Sequence, residues 1–322
     1  MRVVASMLAV AVAAALGAGC GGSRSGLLEV CARVSACSLG SGSFTEGCNG
    51  YALIDRVGRT SEGTEDRLIV AIVDCVEHAP DCAGVEACTT ASATETAACG
   101  SGDVHICVGD VLVECDGTTT PAPDAFDCAS AGLVCGQTAA GARCGTASCD
   151  PATTPARCDG DLAITCDEDG HVLRARDCRF AVTMSCSGGG GGGVTCQSRV
   201  GETCAVVDGE PRCVGGGDPC DEATFQNSCD GSVMITCAGG AIGRRDCADL
   251  DPALTCRLDS RGAAECAAVA QECDEHTAET CTGGVITFCL LGEVTTVDCA
   301  AYGLSGCTTL TENEQTVARC TP

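Results

Sequence analysis

The 322-residue sequence has no tryptophan and no lysine, and only 2 tyrosines, 5 phenylalanines and 4 histidines. Each shortage excludes something. With so few large aromatic side chains the chain lacks the usual filling of a globular core, and the scarcity argues against a stacking-based sugar site. Without lysine there is neither Schiff-base chemistry nor a phosphate-binding loop. No C-x2-C pair occurs, and the closest cysteines are Cys144 and Cys149. That spacing argues against structural zinc and against a thioredoxin-like redox pair. G-x-S-x-G, dinucleotide and EF-hand patterns are absent too, so the familiar sequence signatures of catalysis are missing.

Cysteine is what the chain has instead. Its 33 cysteines are the composition of a disulfide scaffold made outside the reducing cytosol, where covalent cross-links stand in for a large apolar core. The start, "MRVVASMLAVAVAAALGAGCGG", carries Arg2, an uncharged apolar run from Val3 to Ala18 and small residues before Cys20. Residues 1–19 are therefore read as an export signal, because the run is shorter than the ~20 residues a membrane-spanning helix needs. "GAGC" resembles the lipobox of bacterial lipoproteins, which implies a lipid on the Cys20 sulfur. Gly17 stands where leucine is usual, and ordinary secretion is the alternative. Gly21 after the cysteine resembles lipoproteins passed on to the outer membrane. The arithmetic agrees: with Cys20 lipidated, an even 32 cysteines remain to pair. The formal net charge of −26 repels nucleic acid and anionic lipid and favours cationic partners.

The expected fold is small and disulfide-rich. Residues 20–26 form a tether, and 27–88 a six-cysteine helical domain with Cys31, Cys37, Cys48, Cys75, Cys82 and Cys88. Within it "TEDRLIVAIVDCVEHAP" predicts a helix capped by Thr64 and stopped at Pro80, and Asp81 caps a second. Residues 89–98 read as a Thr/Ala/Ser linker. Four antiparallel β modules of six cysteines follow: A (99–144), B (149–196), C (220–266) and D (273–320), with an extra hairpin at 197–219 between B and C. In each module seven residues separate the second and third cysteines. A glycine stands two places after the second cysteine (Gly109, Gly160, Gly231, Gly283), and an aspartate precedes the fourth (Asp127, Asp177, Asp246, Asp298). The glycines read as turn residues and the aspartates as caps. In the alternative architecture the modules join into one closed, propeller-like body.

"CAVVDGEPRC" (204–213) reads as a hairpin. A two-residue turn at Asp208-Gly209 puts Val207 opposite Glu210, and two pairs further on Cys204 opposite Cys213. A direct Cys204–Cys213 disulfide is expected from that register, closing a small loop worth roughly 2 to 3 kcal/mol.

Carboxylates cluster in "CDGD", "CDEDG" and "ADLDP". The ordinary reading is turn chemistry, with calcium as a weak alternative and no other cofactor or metal expected. His78, His105, His171 and His276 read as solvated residues rather than catalytic bases. Together the lipobox and the repeat resemble cysteine-rich tandem-repeat lipoproteins of high-GC Gram-negative bacteria, a group for which no activity is known. That resemblance implies a cell-envelope location. The expected function is a lipid-anchored surface binding, adhesion or structural module rather than an enzyme, meeting an unknown protein or glycan. An extracytoplasmic protease inhibitor or enzyme is the alternative.

Overall fold

A computed structural model describes residues 24–37, 44, 48–49, 52, 58–100, 104–115, 123–189, 193–258, 262–274, 277–312 and 315–322. Cys20, residues 1–19, on which the expected export signal falls, and His276 lie outside them. The described chain is built of small antiparallel sheets with few helices and fifteen disulfides. Cross-links on that scale belong to an oxidising, extracytoplasmic compartment. Among the described residues, no helix is long and apolar enough to cross a membrane.

The helical segment comprises α1 (Arg24–Ala36), α2 (Thr64–His78) and α3 (Cys82–Ala87), tied by Cys31–Cys48, Cys37–Cys82 and Cys75–Cys88. Asp81 caps α3 by accepting from the Gly84 N–H. Thr64 does not cap α2. It is the first helical residue after Gly63, and its hydroxyl accepts instead from Ala175 N–H at 2.8 Å. Sequence 89–98 is less of a linker than its composition suggests. Thr90 bridges to Asp124, and Ala93–Ala98 forms α4, opened by a capping box between Ser92 and Glu95.

Four three-stranded meanders follow, each closed by a two-stranded hairpin. The first is β1 (His105–Val108), β2 (Val111–Glu114) and β3 (Ala125–Asp127), closed by β4 (Val134–Gln137) and β5 (Ala142–Gly145). The second is β6 (Arg157–Asp159), β7 (Leu162–Asp167) and β8 (Val172–Asp177). After it come two hairpins, β9 (Val182–Gly189) with β10 (Gly193–Val200), and β11 (Thr203–Val207) with β12 (Glu210–Val214). The third is β13 (Ser228–Asp230), β14 (Val233–Ala238) and β15 (Ala241–Asp246), then a helical turn α5 (Cys247–Leu250), β16 (Leu254–Leu258) and β17 (Ala264–Ala268). The last is β18 (Thr280–Thr282), β19 (Val285–Leu290) and β20 (Glu293–Asp298), closed by β21 (Gly306–Glu312) and β22 (Gln315–Thr321).

Strands of three to eight residues cannot hold such sheets together alone. One disulfide pattern does it in all four places: the first cysteine bridges the third, the second the fifth, and the fourth the sixth. Cys99–Cys115, Cys107–Cys135 and Cys128–Cys144 are the first set. Cys220–Cys237, Cys229–Cys256 and Cys247–Cys266 are the third, and Cys273–Cys289, Cys281–Cys307 and Cys299–Cys320 the last.

The second set corrects the expected Cys204–Cys213 staple. The register is the expected one, with Cys204 opposite Cys213 and Val207 opposite Glu210, and both turn residues have positive φ (Asp208 54°, Gly209 85°). The bridges nevertheless run elsewhere, as Cys158–Cys204 and Cys178–Cys213, beside Cys149–Cys166. Directly opposed residues of a hairpin share a face, and here that face lies on the β6–β7 pair, where Cys158 stands at a Cα distance of 5.6 Å from Cys204. Residues 203–214 are thus the closing hairpin of the second meander rather than an addition to it. The inserted element is β9–β10, in which Cys186 stands opposite Cys196. Val200 at its end docks on the third meander, its N–H bonding Thr236 Oγ1 at 2.9 Å.

Successive units are packed against each other. An ideal Cβ on Gly136 would lie 2.3 Å from Gly170 O, and one on Gly215 2.5 Å from Ala241 O. The helical segment closes onto the end of the chain. Val30, Ala32, Val73, Val76 and Val85 share one buried cluster with Ile286, Phe288, Leu290, Val297 and Ala318. Phe44 meets Phe288 edge to face at 4.7 Å, and Cys320 N–H donates to Ser35 Oγ at 3.3 Å.

Candidate functional site

The feature repeated most faithfully is the tip of each meander's first hairpin. Gly109, Gly160, Gly231 and Gly283 occupy the first turn position with φ of 64°, 58°, 61° and 62°, a conformation that a primed hairpin turn requires and glycine adopts without strain. An added Cβ at any of the four meets nothing within 4 Å, so the tips stand in open space. The residue after each glycine turns its carbonyl inward, to the N–H of the fourth cysteine. The pairs are Asp110 with Cys128 (3.0 Å), Asp161 with Cys178 (2.9 Å), Ser232 with Cys247 (3.0 Å) and Gly284 with Cys299 (3.2 Å). Each tip is thereby pinned to a disulfide-bonded residue.

The aspartate before that cysteine completes the support. The carboxylates of Asp127, Asp177, Asp246 and Asp298 accept from Ala129, Arg179, Ala248 and Ala300 N–H at 3.0 to 3.1 Å. Gly132 and Gly303 then end their short turns with φ of 64° and 79°. Hydrogen bonds from the Ser232 hydroxyl and the Ala248 N–H hold the half-buried Asp246 below the usual carboxylate range.

Asp177 does more than its three counterparts. Its side chain is fully buried, and burial pushes its pKa up. Hydrogen bonds from the Arg179 side chain, the Glu62 N–H and the Arg179 N–H, together with the Arg179 charge, outweigh burial and hold it below the usual range. Since Glu62 precedes α2, this aspartate joins the helical segment to the second meander, beside Thr64 on Ala175 and an ion pair between Glu65 and Arg174. Arg245, also buried, donates to the carbonyls of Phe180, Arg179 and Gly201 and so ties the second meander to the third; desolvation pulls its pKa down.

Two of the three carboxylates of "CDEDG" are engaged by arginine: Asp167 by Arg174 (3.3 Å) and Asp169 by Arg143 (3.0 Å). Among the described residues, no group of three or more His, Cys, Asp and Glu is placed to hold a metal ion. His105 lies 3.5 Å from Glu114, and His78, the last residue of α2, contacts Asp74 O.

Two features escaped the sequence reading. One is the anchoring of Asp177 and Arg245 between units, which spacing within a repeat cannot reveal. The other is a cleft of about 180 Å³ between α2, α4 and the first meander, lined by Leu68, Ile72, Val111 and Ala125 and by Glu95 and Asp127. Comparison with protein-family models, with curated proteins and with solved structures finds no match to this chain.

Proposed function

We propose that this chain is a lipid-anchored protein of the cell envelope, held through Cys20 and probing its surroundings with four tandem disulfide-stapled modules as a rigid binding or structural surface. The observation that carries this reading is the set of four open tips, each fixed at its base by the same hydrogen bond and the same disulfide pattern. Rigid, repeated, outward turns lower the ordering cost of recognition and gain from avidity. They do not form a pocket in which a nucleophile meets a base. Tip residues Asp110, Asp159 and Asp230 are exposed, which favours cationic or cation-bridged partners.

The test uses chain 20–322 as bait in envelope extract. A partner should be retained at low salt and released by salt, because exposed charge contacts are screened. Retention should fall stepwise as Asp110, Asp159 and Asp230 are changed to Asn one after another. Complete loss from a single tip, with the others dispensable, would favour the inhibitor reading. Separately, Cys20→Ser should abolish labelling by a fatty-acid analogue and release the protein from membranes. A wild-type chain that takes no label would refute the anchor.

A further inference from the structure

We propose that the cleft between α2, α4 and the β2–β3 edge is a docking pocket for one basic side chain, arginine or lysine, presented by a protein partner. The proposal rests on the surface-binding reading and names the chemistry of one contact within it.

Size comes first. A cleft of about 180 Å³ is slightly larger than the ~150 Å³ cavity that holds benzene, and well below the ~300–1,000 Å³ of sites for drug-sized ligands. It therefore suits a single side chain. Leu68, Ile72, Val111 and Ala125 supply apolar wall, matched to the methylene stem of a long cationic residue. The charged residues of its lining, Glu95 and Asp127, are both acidic. Among the described residues neither has an ion-pair partner. Both are held in place by backbone: Glu95 Oε2 accepts from Ser92 N–H at 2.6 Å, and Asp127 Oδ1 from Ala129 N–H at 3.0 Å. Two fixed anions beside apolar wall offer charge-assisted hydrogen bonds to a cation without reorganisation. A neutral apolar group would leave both without a counter-charge, and an anion is repelled by a molecule of net charge −26.

The experiment titrates chain 20–322 with acetyl-Gly-Leu-Arg-Leu-Gly-amide, its citrulline analogue and arginine methyl ester, following the Leu68 and Ile72 methyl resonances. The arginine peptide should shift both methyls. Its affinity should fall tenfold or more with citrulline, and equally with Glu95→Gln combined with Asp127→Asn. Those variants keep the hydrogen-bond acceptors that hold α4 and the Cys128 turn, so unchanged amide resonances elsewhere will report an intact fold. Ala71→Leu, which fills the cleft from α2, should remove binding.

The proposal is overturned if the methyls do not move at millimolar peptide, or if citrulline binds as well as arginine. It is overturned equally if the carboxylate variants bind like wild type, or if arginine methyl ester matches the peptide, which would mark a small-amine site. Envelope capture separates the two levels. A partner held equally by wild type and by the double variant refutes the cleft and leaves the surface reading standing. Failure of the wild type to retain any partner refutes the surface reading, while the peptide titration still decides the cleft.

Discussion

Gly160 and Gly243 show two different reasons for glycine in this chain. At Gly160 φ is +58° and an added Cβ meets nothing, so Gly160→Ala should cost about 1 to 2 kcal/mol of backbone strain. At Gly243 the Cβ would lie 2.2 Å from Val200 O. Gly243→Ala must therefore push the β9–β10 insertion off the third meander. Hydrogen exchange should show lost protection around Val200 in that variant and unchanged protection there in Gly160→Ala; equal effects would contradict the packing. Asp177 makes a pH prediction. Its folded pKa is below the ordinary 3.8, so its contribution is complete above that value and is lost as pH falls through the lower folded one. Asp177→Asn should lower stability by about 1 to 3 kcal/mol at neutral pH, since partners of a buried acceptor are left poorly satisfied. The gap to wild type should hold from pH 8 to 5 and close below pH 4. A gap that stays constant down to pH 2 would remove the linkage.

Among the elements, the hairpins and their bridges divide what is local from what is not. Non-reducing peptide mapping should recover Cys158 with Cys204 and Cys178 with Cys213. Recovery of Cys204 with Cys213 would restore the simple staple. Cys158→Ser together with Cys204→Ser opens a link across 46 residues, worth about 4 kcal/mol in the chain-entropy model, and thermal unfolding should register the loss. The turn at Asp208-Gly209 and its register were legible because four or five neighbouring residues dictate them. The same holds for the tip glycines and the capping aspartates, whose partners lie two residues away. The bridge partners were not legible, because β9–β10 and β11–β12 each carry an opposed cysteine pair. Spacing cannot say which hairpin covers the meander, since that is a tertiary fact. The cleft was hidden for the same reason: its walls come from Leu68, Glu95 and Val111, far apart in sequence.

At the scale of the whole molecule, the helical segment and the final meander are one structure, although the sequence reads as a helical domain followed by separate modules. A fragment 99–322 should keep its local disulfides yet expose Ile286, Phe288 and Leu290, which the helices bury. It should bind a hydrophobic dye and melt earlier than the longer chain; a fragment as stable as the parent would show that the shared core contributes nothing. The shared core also has a consequence in time. Each of the fifteen disulfides among the described residues spans 13 to 46 residues, so every unit can be stapled soon after its own last cysteine reaches the oxidising compartment. The contact of Ser35 with Cys320 spans 285 residues. At ~5–20 residues per second, helix α1 waits about 15 to 60 seconds after its own synthesis for the strand that covers it. Through that interval its apolar face is covered by α2 and α3 alone, and docking of β22 is the step that completes the cover.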